Sequence, residues 1–132
     1  MSSGDHSQAD RLQNRLIDFG VTIIRLSSRL PRTPTGKHVA TQLMRSGTSP
    51  APNYAEARAA ESAADFTHKI AVALKELNEA QVWIKMIDRS ELLSHSLTTP
   101  VLDEAEQLAR IMAASLRTAR ANQRVSAKPA PT

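Results

Sequence analysis

The chain has no cysteine among its 132 residues. Disulfides, thiolate zinc sites and a cysteine nucleophile are excluded, and a reducing compartment fits. Aromatic residues make up only 3%, so a core has to come from aliphatic side chains and alanine. Gly4, Gly20, Gly36 and Gly47 are the four glycines, too scattered to form a phosphate-cradling loop. No apolar run approaches the ~20 residues of a membrane-crossing helix. Met1 to Asp10 is polar and lacks the apolar stretch of a secretory leader. The expectation is a soluble, cytoplasmic protein that does not engage a membrane.

What is present points to helix. Leu12, Leu16, Phe19, Ile23, Leu26 and Leu30 recur in alternating four- and three-residue steps. Such steps return to one helical face and predict a first helix over about 10–30, stopped by Pro31. Ile17, Val21 and Ile24 form a second stripe beside this seam. One antiparallel neighbour does not cover so wide an apolar face, which argues for self-association.

A second helix is expected from about Thr35, capped by Thr33 with Pro34 at its first position or by Thr35 directly. Its seam runs through Val39, Leu43, Ser46 or Gly47, Pro50, Tyr54 and Ala57. Pro50 and Pro52 remove backbone donors and crowd the preceding turn, so a kink is predicted between Gly47 and Asn53. Ser62, with Asp65 three residues on, marks the cap of a third helix ending near Ser90. Phe66, Ile70, Ala73, Leu77, Ala80, Ile84 and Ile87 make its seam, and Asp65 and Lys69 stand in favourable i, i+4 order. Leu92 and Leu93 should fold back in the connection that follows. Thr99-Pro100 reads as the start of a fourth helix, with Asp103 and Glu104 near its positive end. Val101, Ala105, Leu108, Met112, Ser115 and Ala119 form its seam, flanked by Ile111 and Leu116. Three short connections between long helices predict an all-α, antiparallel up-down-up-down four-helix bundle with a kinked second helix. The bundle should occupy 10–122, between a flexible N-terminus at 1–9 and a disordered tail at 123–132 that contains Pro129 and Pro131.

No catalytic pattern emerges, and a non-enzymatic protein without cofactor is expected. His6, His38, His68 and His95 form no His-Glu-x-x-His zinc motif. Asp65 and His68 match half of a di-metal carboxylate site, but the second acid-x-x-His pair and the further inward acids are missing, so no metal is assigned. No serine stands in a nucleophile elbow. Glu76 and Glu79, three apart beside Lys75, read as a solvated face. The lone Trp83 reads as core or interface filling before base stacking.

Formal charge is +4, unevenly spread. From Arg110 onward five basic residues (Arg110, Arg117, Arg120, Arg124 and Lys128) meet no acid. Arg117, Arg120 and Arg124 share one helical face, which Arg110 continues one heptad earlier. Arg11, Arg15, Arg25 and Arg29 decorate the first helix at related spacing. Two readings stand: a solvated face complementing the helix dipole, or a surface that contacts phosphates, which arginine recognises bidentately.

One stretch is specific: Arg45-Ser46-Gly47-Thr48-Ser49, Asn53-Tyr54-x-Glu56-Ala57, Asp65-Phe66-x-His68-Lys69 and Leu74-Lys75-Glu76-Leu77, with Glu79 and Trp83. It resembles the four-helix-bundle family of proteins encoded in large-subunit rRNA intervening sequences, which includes the accessory variability determinant of diversity-generating retroelements. The resemblance spans about 18–122. It implies up-down bundles assembled as homopentamers, and for the retroelement member RNA or DNA binding and association with a reverse transcriptase. It places Arg45, Asn53, Glu56, Asp65, His68 and Lys69 on the family's polar motif positions. Around the proline kink and the next helix start, these side chains are expected to close backbone hydrogen bonds rather than to hold a ligand. Two departures stand out. Pro52 replaces the usual small residue, and Ala63-Ala64 replaces residues that are basic in many relatives. The leading expectation is an oligomeric accessory protein that binds nucleic acid or a nucleic-acid enzyme such as a reverse transcriptase. The alternative is a protein-binding scaffold whose basic residues serve solubility.

Overall fold

The computed structural model describes residues 3–127 and contains no strand among them. Five helical segments follow one another: α1 (Ser3–Ser27), α2 (Pro34–Thr48), α3 (Pro50–Arg58), α4 (Ala63–Arg89) and α5 (His95–Ala127). Between α2 and α3 only Ser49 intervenes, and its backbone stays in the right-handed helical region (φ −70°, ψ −34°). The two segments therefore form one bent rod, and the molecule is a four-helix bundle with a kinked second helix. The kink lies where two missing proline donors require it. Asn53 bridges it, because its side-chain amide donates to the Ser49 carbonyl (3.0 Å) and hydroxyl (2.9 Å).

Cross-rod pairs fix the direction of each neighbour. Arg58 at the end of the second rod bonds Asp10 and Gln13 near the start of α1. Glu56 pairs with Lys69, and Arg45 with Glu79 further along α4. Asp88 at the end of α4 meets His95 and Thr98 at the start of α5. Thr22 and Asp18 lie against Pro100 and Val101, whereas Leu12 lies against Ile111 and Ser115. In each pair of rods one sequence number rises as the other falls, so successive rods are antiparallel.

The seams become the core. Leu16, Ile23, Leu43, Ile70, Leu77, Ile84, Leu108 and Met112 are fully buried, with Ala73, Ala80 and Ala105 letting the rods approach. Gly47 sits where α1 crosses α2, and a Cβ there would lie 2.6 Å from Ile23. Thr33 caps α2 by accepting from the Gly36 amide, and Ser62 caps α4 by accepting from that of Asp65. α4 closes in a Schellman turn: Leu92 N–H donates to Ile87 and Glu91 N–H to Asp88. Glu91 occupies the left-handed position at φ 60°.

Four boundaries differ from the sequence reading, one of them the end of α1, which falls at Ser27 rather than near Leu30. α1 starts at Ser3, inside the segment expected to be flexible, and α5 runs on to Ala127, inside the expected tail; residues 1–2 and 128–132 lie outside the described residues. α5 also starts at His95 rather than at Thr99, with Pro100 inside it. The extra turn is held by a tertiary contact: Asp88 accepts from the Thr98 hydroxyl at 2.6 Å and pairs with His95 Nδ1 at 2.9 Å. Asp103 and Glu104 accordingly stand beyond the first turn and do not complement the dipole as expected.

Candidate nucleic-acid interface

The arginines do not form one surface. On α5, Arg110, Arg117 and Arg124 repeat at heptad spacing, about 10.5 Å per step, with Arg120 between the last two. All four are exposed and make no ion pair among the described residues. Arg110 borders a shallow cleft between α4 and α5, lined also by Leu74, Asn78, Gln81, Glu106 and Ala113. Exposed Lys85, one heptad beyond Asn78, extends the α4 edge of this cleft, with Arg89 one turn further. These two cations escaped the sequence reading, because their α4 stretch is acidic in total and only the antiparallel packing of α4 on α5 sets them beyond the Arg110 end of the arginine row.

The α1 set lies on the opposite side of α5. Arg15 donates to both carboxylate oxygens of Glu104 (2.9 and 2.7 Å) and to Gln107 (3.0 Å). The hydrogen bonds to Glu104 raise its already high pKa. Arg15 is thus committed inside the fold, which corrects its place among the phosphate candidates. Arg11 borders an open groove of about 890 Å³ shared with Leu12, Tyr54, Phe66 and Ile111. Arg25 and Arg29 are exposed near the other end of α1. Asp18, Asp103 and Glu104 lie between the two ends, so no continuous positive strip runs along α1.

The motif positions divide. Asn53 bonds Ser49 across the kink, but the Ser49 carbonyl also accepts from the Asn53 backbone amide, so the side chain reinforces that turn rather than replacing a donor removed by proline. Arg45 does not bond the broken turn; it reaches Gln42 (3.0 Å) and Glu79 (3.2 Å). Glu56 and Lys69 form a cross-rod pair at 3.1 Å, so Lys69 is not joined to Asp65. Asp65 contributes its backbone amide to the α4 cap, and exposed His68 makes no hydrogen bond there. Among the described residues no three His, Asp or Glu side chains converge as a metal site would need. Likewise, no helix among them is long and apolar enough to cross a membrane.

Beneath Arg45 lies a less ordinary pair. Glu76 Oε2 is buried without a hydrogen-bond partner. Burial, then the charge of Glu79, pushes the Glu76 carboxyl above its usual range, against the opposing pull of Arg45 and Lys75. Trp83 follows on the same side, half-buried, with the His38 ring edge-on at 5.9 Å.

Comparison with known proteins places this architecture. Residues 11–114 match the family model of the 23S rRNA-intervening sequence protein. A crystal structure of a protein of unknown function from the S23 ribosomal protein family, from Bacteroides thetaiotaomicron, has a TM-score of 0.75 and 28% sequence identity to this chain. The match covers 80% of this chain and 97% of that one. No curated protein matches.

Proposed function

We propose, from the premise that this chain belongs to the 23S rRNA-intervening sequence protein family, that it is a non-catalytic, oligomeric accessory protein that holds nucleic acid along the α4–α5 edge. Family membership supports an rRNA-related role. The observation that carries the finer reading is the row Arg110, Arg117, Arg120 and Arg124, exposed and without intramolecular ion pairs, on a helix that has no acid after Glu106. Exposed guanidinium groups in such a row pair with backbone phosphates, contacts that carry no sequence information, so binding should be insensitive to sequence. Four phosphate contacts give a slope of log affinity against log salt of about −2.8 for a single strand and about −3.6 for a duplex.

The test is filter binding of single-stranded RNA and duplex DNA between 50 and 200 mM salt. Replacing Arg117, Arg120 and Arg124 by alanine should weaken binding at every salt concentration and flatten the single-strand slope by about 2. Unchanged affinity in the triple variant rejects this surface. A second reading, a protein-binding scaffold, draws support from exposed Ile17, Val21, Ile24, Val82 and Met86; absence of binding at low salt favours it.

A further inference from the structure

At one end of the bundle α1 and α5 stand apart. Leu12 of α1 and Phe66 of α4 lie on core-facing seams, yet both are only partly buried. Opposite them α5 presents Ala114, Ser115, Thr118 and Ala119, whose short side chains leave the gap unfilled. The gap is the open groove of about 890 Å³, and it continues past Phe66 and Ile111 to Asn122. Such a volume falls in the range of small-ligand sites, about 300–1,000 Å³, which in bundles form between helices. The groove is unlike at its two ends. Along α5 it is mostly carbon, from Phe66, Ile111, Ala114 and Ala119. Toward α1 it is polar, with Gln8, Arg11, Arg15 and Tyr54.

Tyr54 is the informative residue. It lines the groove and is only 8% exposed. Its hydroxyl has no hydrogen-bond partner among the described residues, although a buried phenol ordinarily finds one. Burial raises its pKa against the pull of Arg58, with Asp10 adding to the rise, so the hydroxyl stays protonated and able to donate. Around this end Arg11, Arg15 and Arg58 stand against two carboxylates, Asp10 and Glu104, a local balance that favours an anion. Arg15 and Arg58 are committed to those two acids. Arg11 carries five N–H donors, so it can take a further carboxylate alongside its own contacts.

We propose that this groove binds a free amphipathic carboxylate of the long-chain acid class, with its head on the Tyr54 hydroxyl and Arg11 and its tail along Phe66, Ile111 and Ala119. The head satisfies the one buried donor that the fold leaves unanswered there. The tail covers the seam side chains that α1 and α5 leave open, which is where burial of apolar surface supplies affinity. A nucleic-acid strand suits the groove poorly, because beyond Tyr54 the lining offers its phosphates no cation.

Isothermal titration calorimetry of the full chain with dodecanoate, kept below its micellar concentration, tests this. One acid should bind per chain. Tyr54→Phe, which removes only the hydroxyl, should weaken binding about tenfold. Ser115→Trp, which fills the groove, should abolish it. Circular dichroism verifies that both variants keep their helices. Dodecyltrimethylammonium, with the same tail and a cationic head, should bind about tenfold more weakly or not at all. No heat with dodecanoate, native affinity in Tyr54→Phe, or equal affinity for the two heads overturns the proposal, and none of these depends on Ser115→Trp folding. Sedimentation with phosphatidylglycerol vesicles separates a free acid from a lipid surface: binding to vesicles without binding to dodecanoate also overturns it. The groove shares no residue with the row Arg110, Arg117, Arg120 and Arg124, so this site and the nucleic-acid reading can fail separately.

Discussion

Glu91 is the residue at which local geometry and side chain disagree most plainly. It holds the left-handed position that ends α4, where a Cβ costs ~1 kcal/mol or more and glycine costs little. Glu91→Gly should therefore raise stability by about 0.5–1 kcal/mol, the relief being partly offset by greater freedom in the unfolded chain. Urea unfolding midpoints at fixed slope check this. Glu76 makes a pH argument of the same kind. Its folded-state carboxyl is raised by burial and by Glu79, so the fold favours the protonated form. The stabilisation is present below the ordinary carboxylate range and is lost as pH rises through the raised value. Glu76→Gln should accordingly be more stable than the native chain at pH 7, with the difference shrinking towards pH 4, as thermal unfolding at the two pH values would show. Asp88 has the opposite sign. The Thr98 hydroxyl first, then His95, hold its carboxyl below the usual range, so its contribution is present at neutral pH and fades on acidification.

At the scale of elements, the close approach of α1 to α2 distinguishes two glycines that look alike in sequence. A methyl group on Gly47 would strike both γ carbons of Ile23, at 2.6 and 2.7 Å. On Gly20 its nearest neighbours stand at 3.9 Å, ordinary contact. Gly47→Ala should cost about 1–3 kcal/mol through overpacking, whereas Gly20→Ala should gain about 0.5–1 kcal/mol from helix propensity. Chemical denaturation of the pair measures both signs. Loss of stability in Gly20→Ala, or none in Gly47→Ala, would contradict the crossing. The seams themselves were legible: of the six residues from Leu12 to Leu30 at four- and three-residue steps, only Leu12 is not fully inside, and Leu30 is buried although it lies beyond the end of α1. Apolar periodicity speaks for burial because a helix rotates by a constant angle per residue. The start of α5 was not legible, since its first turn is tied by Asp88, a residue of another helix.

For the whole molecule, the arrangement of charge separates ornament from interface. Arg15 and Arg117 look equivalent as letters, yet one is locked to Glu104 and the other faces solvent. Arg15→Ala should leave RNA affinity nearly unchanged and cost roughly 1 kcal/mol or less, because the pair it breaks is half-exposed and screened. A loss of affinity as large as that of the Arg117/Arg120/Arg124 variant would return Arg15 to the binding surface.

Helix content, most of the core, the proline kink and the caps at Thr33 and Ser62 were written in short-range spacing, because each depends on residues within one or two turns. Which arginines are spent inside the fold, which cations join them from α4 and where α5 begins were decided by packing. Those outcomes depend on partners such as Glu104 for Arg15, distant along the chain, and only a folded backbone brings such groups within hydrogen-bond reach.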